Sequence, residues 1–287
     1  MHKINTISPL DHKYLQILAH IDKSPKTLHI MGEIPTERRP SVAIIGARKP
    51  TAYGREVTHA LAYKLATKGV VIISGLALGV DTIAHSAALE AKGTTIAVQA
   101  NGLHKLYPST NRRVGENIVA NGGAIISEYP SGTEPMQFRF LERNRIVSGL
   151  ADIVIVTEAA SRSGTLNTAG HAIAQGKDLF AVPGNITSPM SAGCNQLLRQ
   201  GAQPLLSTDD ILDLLMPNTS QKSQASLAIG ENELEQHILD SLAAGIRDGD
   251  EILSTSSADP SEFNTALTML EIRGIIRPLG YNQWTVS

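Results

Sequence analysis

Short apolar runs alternate with amphipathic segments between residues 41 and 216. The apolar runs are rich in Val, Ile and Ala and predict strands at Val42–Ile45, Val70–Ser74, Thr94–Gln99, Gly123–Ser127, Ile153–Thr157 and Leu179–Val182. Between them, apolar residues at helical spacing predict helices at Val57–Ala66, Ile83–Ala91, Val114–Ala120, Leu141–Leu150, Leu166–Ala174 and Asn195–Arg199. Strands that are apolar on both faces and joined by crossover helices are typical of a parallel sheet covered on two sides. The pattern predicts a doubly wound, mostly parallel α/β domain of the Rossmann-like class over residues 41–216.

The pattern changes on both sides of this domain. Residues 1–40 predict a short N-terminal helix, His12–Ile21, and an extended arm. Residues 217–229 are polar and predict a linker, because they offer little apolar surface to bury. Residues 230–287 predict helices and hairpin strands at Glu231–Ala243, Asp250–Ser254, Pro260–Arg273, Ile275–Arg277 and Gln283–Val286. Three helices followed by a hairpin describe a small C-terminal winged-helix domain.

The composition of the chain restricts the cellular compartment in which we expect the protein. The longest apolar runs fall far short of the ~18 residues that a transmembrane helix needs, and the first thirty residues lack the apolar segment of a signal peptide. The single cysteine, Cys194, excludes an internal disulfide and a cysteine-built metal site, which favours a reducing compartment. We therefore expect a soluble cytoplasmic protein with no membrane segment.

The two predicted domains differ in net charge. Residues 1–219 carry 21 Lys and Arg against 17 Asp and Glu, whereas residues 220–287 carry 4 against 10. The first part has a net charge of +4 and the second of −6, so we expect the two parts to meet different partners.

Ligands of a doubly wound sheet bind beyond the carboxyl ends of its strands, so the loops there are candidate sites. Gly46 and Arg48 follow the first predicted strand, ahead of a helix whose free N–H groups suit an anion. The loop lacks the GxGxxG fingerprint, so no dinucleotide cofactor is expected. Ser163, Gly164 and Thr165 offer hydroxyl and N–H groups at the start of a later helix.

Two further loops are less decisive. Ser74 and Gly75 begin a turn that ends at Asp81, and a plain strand-to-helix turn capped by Asp81 accounts for it. The segment Phe138–Asp152 combines stacking rings with cations, which single-stranded nucleic acid requires, at Phe138, Arg139, Phe140, Arg143, Asn144 and Arg145. The alternative is a solvated basic helix face, but two of the four Phe residues of the chain lie in this segment, which favours a function; Phe140 fits the core as well as a site. Together, the four loops favour a polyanion over a small metabolite.

Catalytic patterns are scarce. His85, His104 and His171 are dispersed, and neither an HExxH nor a GxSxG motif occurs. Asp81 and His85 are four residues apart on one predicted helix, where a structural hydrogen bond is the simpler interpretation. No catalytic residue, metal site or cofactor is predicted, and we expect a protein that is not an enzyme.

Seven motifs occur in a fixed order along the chain: GARKPTAYG, SGLALGVDTIAHSAAL, GTTIAVQANGLHKLYP, GGAIISEYPSG, FLERNRIVSGLAD, SGTLNTAGHA and AVPGN. Over Thr27–Leu215 they closely resemble the DNA-processing protein A family, also called Smf. The resemblance implies a cytoplasmic, non-enzymatic bacterial protein, usually a homodimer. Such proteins bind single-stranded DNA entering during natural transformation, protect it, and load the recombinase RecA onto it.

The resemblance also implies roles for individual residues. It places Arg48, Arg143 and Asn144 in contact with DNA and offers the ring of Phe140 to it. Backbone or hydroxyl groups of the same pocket would come from Gly46, Ser74, Gly75, Ser163, Gly164 and Thr165. Arg145 and Gln137 complete the predicted DNA-binding set. Gln137 stands where the family often has a lysine, which should reduce the salt dependence of DNA binding by about one phosphate contact.

The predicted winged-helix domain lacks the basic side chains expected of a DNA-binding winged helix. Its third predicted helix places Glu262, Asn264, Thr268 and Glu271 where base-reading or phosphate-binding side chains would be needed. Acidic side chains and the charge of −6 disfavour phosphate, so we interpret this domain as a protein-interaction module.

Two other functions remain open from the residues. Phosphoribohydrolases of the LOG, or lysine-decarboxylase-like, family carry PGGxGTxxE at the position of Ser161–Thr168, but here Thr168 replaces the glutamate. A nucleotide-sensing module is the third possibility.

The segment Cys194–Leu206 is a candidate dimer interface. It offers an isologous patch through Leu197, Leu198, Leu205 and Leu206, although core packing explains these leucines equally well.

Overall fold

A computed structural model describes residues 3–216, 232–244, 246–256, 258–280 and 282–286. The chain divides into two compact units, Met1–Pro217 and Asn218–Ser287. The linker predicted at residues 217–229 lies outside the described residues.

A nine-stranded sheet forms the first unit, in the order β1-β2-β6-β5-β4-β3-β7-β8-β9. The strands are β1 Ile4–Ile7, β2 Leu28–Gly32, β3 Ser41–Ile45, β4 Val71–Ser74, β5 Thr95–Gln99, β6 Ala124–Ser127, β7 Ile153–Val156, β8 Asp178–Ala181 and β9 Gln203–Pro204. Strands β3 to β9 pair in parallel, whereas β1 pairs antiparallel with β2, and β2 with β6. The six predicted strands are therefore confirmed, within one residue at each end, as the parallel centre of the sheet.

Helices cover both faces of the sheet. They are α1 Ala52–Thr67, α2 Val80–Glu90, α3 Arg112–Ala120, α4 Gln137–Leu150, α5 Gly164–Ala174, α6 Ala192–Arg199 and α7 Thr208–Leu215. Alternate residues of β3 belong to different cores: Val42 and Ile44 pack with α1, α2 and α7, and Ala43 and Ile45 with α4, α5 and α6. This alternation confirms the doubly wound α/β fold, since side chains of a strand point to opposite faces in turn.

The first 40 residues differ from the prediction. In place of one helix over His12–Ile21, the chain forms two 3-10 helices, Pro9–Asp11 and Gln16–His20. In place of an extended arm, β1 and β2 extend the sheet beyond β6. The physical reason is burial: Tyr14, Leu15 and Leu18 are fully buried against the α4 side of the sheet. Sheet pairing and this packing replace the longer helix that local spacing suggested.

The second unit has the predicted three helices and hairpin. They are α8 Glu233–Ala243, α9 Gly249–Thr255, α10 Pro260–Ile272, β10 Ile276–Gly280 and β11 Gln283–Val286, and the two strands pair antiparallel. Asn232, Asp248 and Asp259 accept hydrogen bonds from the first turns of the three helices, which explains where each one starts. A separate core, with Ile238, Ile252 and Leu270 fully buried, holds the unit together.

Within the described ranges, no helix has the length and hydropathy to cross a membrane.

Candidate nucleic-acid interface

An open cavity of about 730 Å³ lies at the carboxyl ends of β3 and β4, beside the first turns of α4 and α5. Ten of the twelve predicted site residues line it: Gly46, Arg48, Gly75, Gln137, Phe140, Arg143, Asn144, Ser163, Gly164 and Thr165. These residues come from four chain segments, which the parallel sheet brings to one edge. The charged lining side chains are Arg48, Arg143, Arg162 and Asp81, so cations outnumber acids three to one.

Two predicted residues do not line this cavity. The hydroxyl of Ser74 is fully buried and donates to the carbonyl of Ile44, 2.7 Å away. Arg145 is buried and forms two hydrogen bonds with the carboxylate of Glu128, at 2.6 and 2.8 Å. Arg143 and Arg145 are two positions apart on α4 and therefore point about 200° apart around the helix axis, which the prediction did not take into account. The side chains of Ser74 and Arg145 therefore support the fold.

The first turn of α1 is not free for a ligand, contrary to the prediction for the Gly46 loop. Thr51 donates through its backbone N–H and its hydroxyl to the two carboxylate oxygens of Glu158, at 2.8 and 2.7 Å. Glu158 is buried, and it lies so close to Gly54 that any side chain there would collide with it. A carboxylate of the protein itself therefore occupies this helix N-terminus.

A second internal carboxylate occupies the turn between β4 and α2. Asp81 accepts from the backbone N–H groups of Gly75 at 3.1 Å and Ala77 at 3.3 Å. Burial raises the pKa of Asp81, and the charge of Arg143 opposes that rise. Asp81 thus lies inside the first turn of α2 and caps the preceding loop, whereas the sequence suggested a cap for the helix.

His85 does not pair with Asp81. Its Nδ1 atom lies 2.7 Å from the hydroxyl of Thr95, and that hydroxyl donates to the carbonyl of Ile72. Nδ1 therefore carries the proton. Burial lowers the pKa of His85 to about 3, with the charge of Arg143 adding to the effect, so the ring is neutral at physiological pH.

Arg143 forms part of the cavity floor. Its Nη1 atom donates to the carbonyl of Gly75, 2.7 Å away, and to that of Val98. These carbonyls end β4 and β5, so the guanidinium ties α4 to the edge of the sheet. Burial lowers its pKa to about 10, which leaves it charged at neutral pH. With 5% of the residue exposed, Arg143 shapes the cavity more than it offers a free charge.

Arg48 and Phe140 form one wall. The guanidinium carbon of Arg48 lies 5.9 Å from the ring centroid of Phe140, within the range of a cation–π contact. Tyr107, which the sequence analysis missed, places its ring 5.6 Å from that of Phe140. Its only sequence signal is its place before Pro108 in the third motif. Phe140 is half-buried and lines the cavity, which favours a site residue over a core residue.

The first turn of α5 is open to the cavity. Ser163 caps it by accepting from the N–H of Thr165 at 3.2 Å, and no acidic residue lies in this turn. The hydroxyl of Thr165 donates to the carbonyl of Gly46, which joins the loop to β3. Nothing lies within 4 Å of the place where a Cβ of Gly164 would be. Unlike the first turn of α1, this helix end leaves space for an external anion.

Asn144 and Gln137 supply uncharged polar groups. Asn144 donates to the side-chain oxygen of Asn167 at 3.1 Å, which holds α4 against α5. Gln137 is exposed at the first position of α4. Within the described residues, no group of three or more His, Cys, Asp or Glu side chains is arranged to hold a metal ion.

Comparison with known proteins gives two family matches. The model described as DNA recombination-mediator protein A matches residues 5–216, and the DprA winged helix domain model matches residues 221–280. DNA processing protein DprA of Bacillus subtilis is 38% identical over 222 residues, which cover 77% of this chain and 74% of that protein. Protein Smf of Escherichia coli is 36% identical over 288 residues, covering 95% of this chain and 76% of that protein.

Two solved structures are also similar to this chain. DNA processing protein A of Streptococcus pneumoniae has a TM-score of 0.69 at 38% identity, covering 74% of this chain and 75% of that one. The Helicobacter pylori protein, described in terms of its single-stranded DNA binding mode, has a TM-score of 0.66 at 34% identity, covering 76% and 97%. These matches confirm the resemblance carried by the seven ordered motifs and the winged-helix domain. The chain therefore belongs to the DNA recombination-mediator protein A family.

Proposed function

We propose that this protein binds single-stranded DNA in the cavity beside α4 and α5 and acts in DNA processing during transformation and recombination. The observation that carries the proposal is the meeting of Arg48, Phe140 and the open first turn of α5 in one cavity. Cations and a helix N-terminus suit phosphates, and an accessible aromatic ring suits a base. The relative from Helicobacter pylori, whose single-stranded DNA binding mode has been described, adds support.

The arrangement assigns parts of a nucleotide to parts of the cavity. A phosphate is held by the N–H of Gly164 and by the charges of Arg48 and Arg162, and the base lies against Phe140 and Tyr107. Arg143 and Asn144 hold the walls of the cavity in position through their hydrogen bonds to Gly75 and Asn167. A base inside a duplex has both faces covered by its neighbours, so stacking on Phe140 selects single strands.

We propose that the cavity performs no catalysis. Its acidic side chain, Asp81, is bonded to two backbone N–H groups, and nearby Glu158 is bonded to Thr51. Thr168, which is buried, stands where a phosphoribohydrolase of the LOG family has its glutamate. The nucleotide hydrolase is therefore not favoured.

We also propose that the protein works in the cytoplasm, passes the bound strand to RecA, and forms a homodimer. Family membership supports the first two points. For the dimer, Leu197 and Leu205 are buried in the core, whereas Leu206 is 80% exposed and Leu214 is 52% exposed. We infer that Leu206 and Leu214 meet a second copy. Analytical ultracentrifugation of Leu206→Glu/Leu214→Glu tests this; a variant that stays dimeric would place the interface elsewhere.

Fluorescence anisotropy with labelled oligo-dT and with duplex DNA tests DNA binding. We expect the wild type to prefer oligo-dT, and Arg48→Ala and Phe140→Ala each to weaken that binding at least about tenfold. Lys68→Ala is a charge-matched control for Arg48→Ala, because Lys68 is exposed at the C-terminal end of α1, at the opposite edge of the sheet. Equal binding by the wild type and both cavity variants would move the DNA site away from this cavity.

A further inference from the structure

An aromatic and cationic surface lies beside the cavity without lining it. Phe138 is 50% exposed, and the guanidinium carbon of Arg139 lies 5.3 Å from its ring centroid. The same carbon lies 5.4 Å from the ring centroid of Tyr129. Arg139 therefore bridges two rings. We call these three residues the flanking surface; neither the cavity nor the matched motifs account for Phe138 and Arg139.

The flanking surface continues the cavity along the first turn of α4. Leu141 lines the cavity and is 45% exposed, and it is the i+3 neighbour of Phe138, so the two side chains are adjacent on the helix surface. Gln137, which also lines the cavity, directly precedes Phe138. A chain leaving the cavity over Gln137 and Leu141 therefore meets the ring of Phe138 next.

The charge of this flank favours a polyanion. Arg139 donates to the backbone carbonyl of Glu134, and none of the ion pairs found among the described residues involves its guanidinium. Of the carboxylates nearby, Glu128 pairs with Arg145 and Glu134 lies 3.7 Å from Lys105, whereas Glu142 accepts from the hydroxyl of Tyr129 at 2.8 Å and keeps its charge. The first turn of α4 contains no acidic residue.

We propose that the flanking surface is a second nucleotide subsite, where the base that follows the cavity-bound nucleotide stacks on Phe138 and its phosphate meets Arg139. The inference rests on the proposed function of the cavity. Rings paired with arginine are the groups that hold unpaired bases without regard to sequence. An exposed apolar ring also suits a protein partner, but the bridging cation and the continuity with the cavity favour the strand.

Binding of the full chain to oligo-dT of increasing length tests the subsite. We expect Phe138→Ala to lower the affinity for oligonucleotides long enough to leave the cavity by about 5- to 100-fold. The affinity for the shortest oligonucleotide that the wild type binds should stay unchanged. Phe138→Trp should retain long-oligonucleotide binding, and Phe138→Leu, which keeps apolar bulk without a ring, should lose it. Tyr63→Ala is the control for loss of an exposed ring, since Tyr63 lies on α1 outside the cavity.

Three results would overturn the subsite. They are an unchanged affinity of Phe138→Ala at every length, an equal loss at every length including the shortest, and loss of binding by Phe138→Trp. The first is also the result expected if the surface serves a protein partner. Failure of the proposed function has a different signature, because Arg48→Ala and Phe140→Ala would then bind every oligonucleotide as the wild type does.

Photo-crosslinking locates the base directly. Trypsin cleaves after Arg139 and separates a peptide ending in Phe138 and Arg139 from the peptide Phe140–Arg143. With 5-iododeoxyuridine placed at successive positions of oligo-dT, we expect neighbouring positions to crosslink to these two different peptides. Crosslinks confined to the Phe140 peptide would contradict a base on Phe138.

Discussion

At the scale of single residues, two arginines of the cavity have different tasks. Arg48 is exposed at the rim, whereas Arg143 is buried and bonded to the carbonyls that end β4 and β5. Only a cation that meets phosphate displaces counterions and contributes to the salt dependence of binding. A buried guanidinium contributes to stability, because its loss leaves buried carbonyls without partners.

We therefore predict that Arg48→Ala lowers the slope of log affinity against log salt for oligo-dT by about 0.7, the value of one phosphate contact with a single strand. Arg143→Ala should leave the slope unchanged but reduce the free energy of unfolding by about 3 kcal/mol. Salt titrations and urea unfolding measure the two effects. Full stability of Arg143→Ala together with a reduced slope would make Arg143 a direct phosphate ligand.

His85 predicts a pH dependence of stability. Its pKa falls from 6.5 to about 3 on folding, so the unfolded chain binds a proton that the folded protein excludes. The contribution of this histidine is present above pH 6.5 and is lost as the pH falls from 6.5 towards 3. We expect the free energy of unfolding of His85→Leu to fall less than that of the wild type between pH 7 and pH 4.5. Parallel pH profiles in urea unfolding would show that folding does not lower the pKa of His85.

At the scale of elements, the centre of the sheet was predictable, because apolar runs of β-branched residues reveal buried strands wherever they occur. The starts of α1, α2, α4 and α6 were not. Each of these helices begins three to five residues before the predicted one, because its first turn is polar or lies at the cavity and lacks an apolar period. In α4 this shift places Gln137, Phe138 and Phe140 on the first turn of a helix, where the prediction had a loop.

The contacts of the internal carboxylates could not be predicted from the sequence, for a different reason. Glu158 is 107 positions from Thr51, and no local pattern relates the two residues. A free helix N-terminus and one filled by a distant side chain have the same local sequence. The cap of α5 was predictable, because Ser163 and Gly164 are adjacent, but only the structure shows that this turn is open.

The contact between Glu158 and α1 is itself testable. We expect Glu158→Ala to reduce the free energy of unfolding by about 2 kcal/mol, since it leaves the part-buried N–H and hydroxyl of Thr51 without their acceptor. Glu158→Gln retains an acceptor oxygen and should cost less. Glu56→Ala, at an exposed position of α1, is the control. A Glu158→Ala protein as stable as this control would contradict the role of Glu158 as an internal anion.

At the scale of the whole molecule, the two units differ in charge and therefore in the partners that suit them. The exposed side chains of α10 include Glu262, Asn264, Thr268, Met269 and Glu271, and no exposed position of this helix is basic. In the first unit, Arg48, Arg143 and Arg162 line the cavity. We therefore expect DNA to bind the first unit, and we interpret the winged-helix unit as a module for a protein partner.

We predict that the segment 228–287, which has its own core, binds neither oligo-dT nor duplex DNA at about 150 mM salt. Removing it should leave the affinity of residues 1–216 for oligo-dT unchanged. Anisotropy with both fragments and the full chain measures this. DNA binding by the isolated winged-helix segment would assign it a direct role on DNA.

A crystal structure of the protein with a short oligo-dT would locate the bound strand. We expect a phosphate at the N–H of Gly164 within reach of Arg48 and a base on the ring of Phe140. Arg143 should keep its bonds to Gly75 and Val98. A strand bound elsewhere, with the cavity empty, would contradict this expectation.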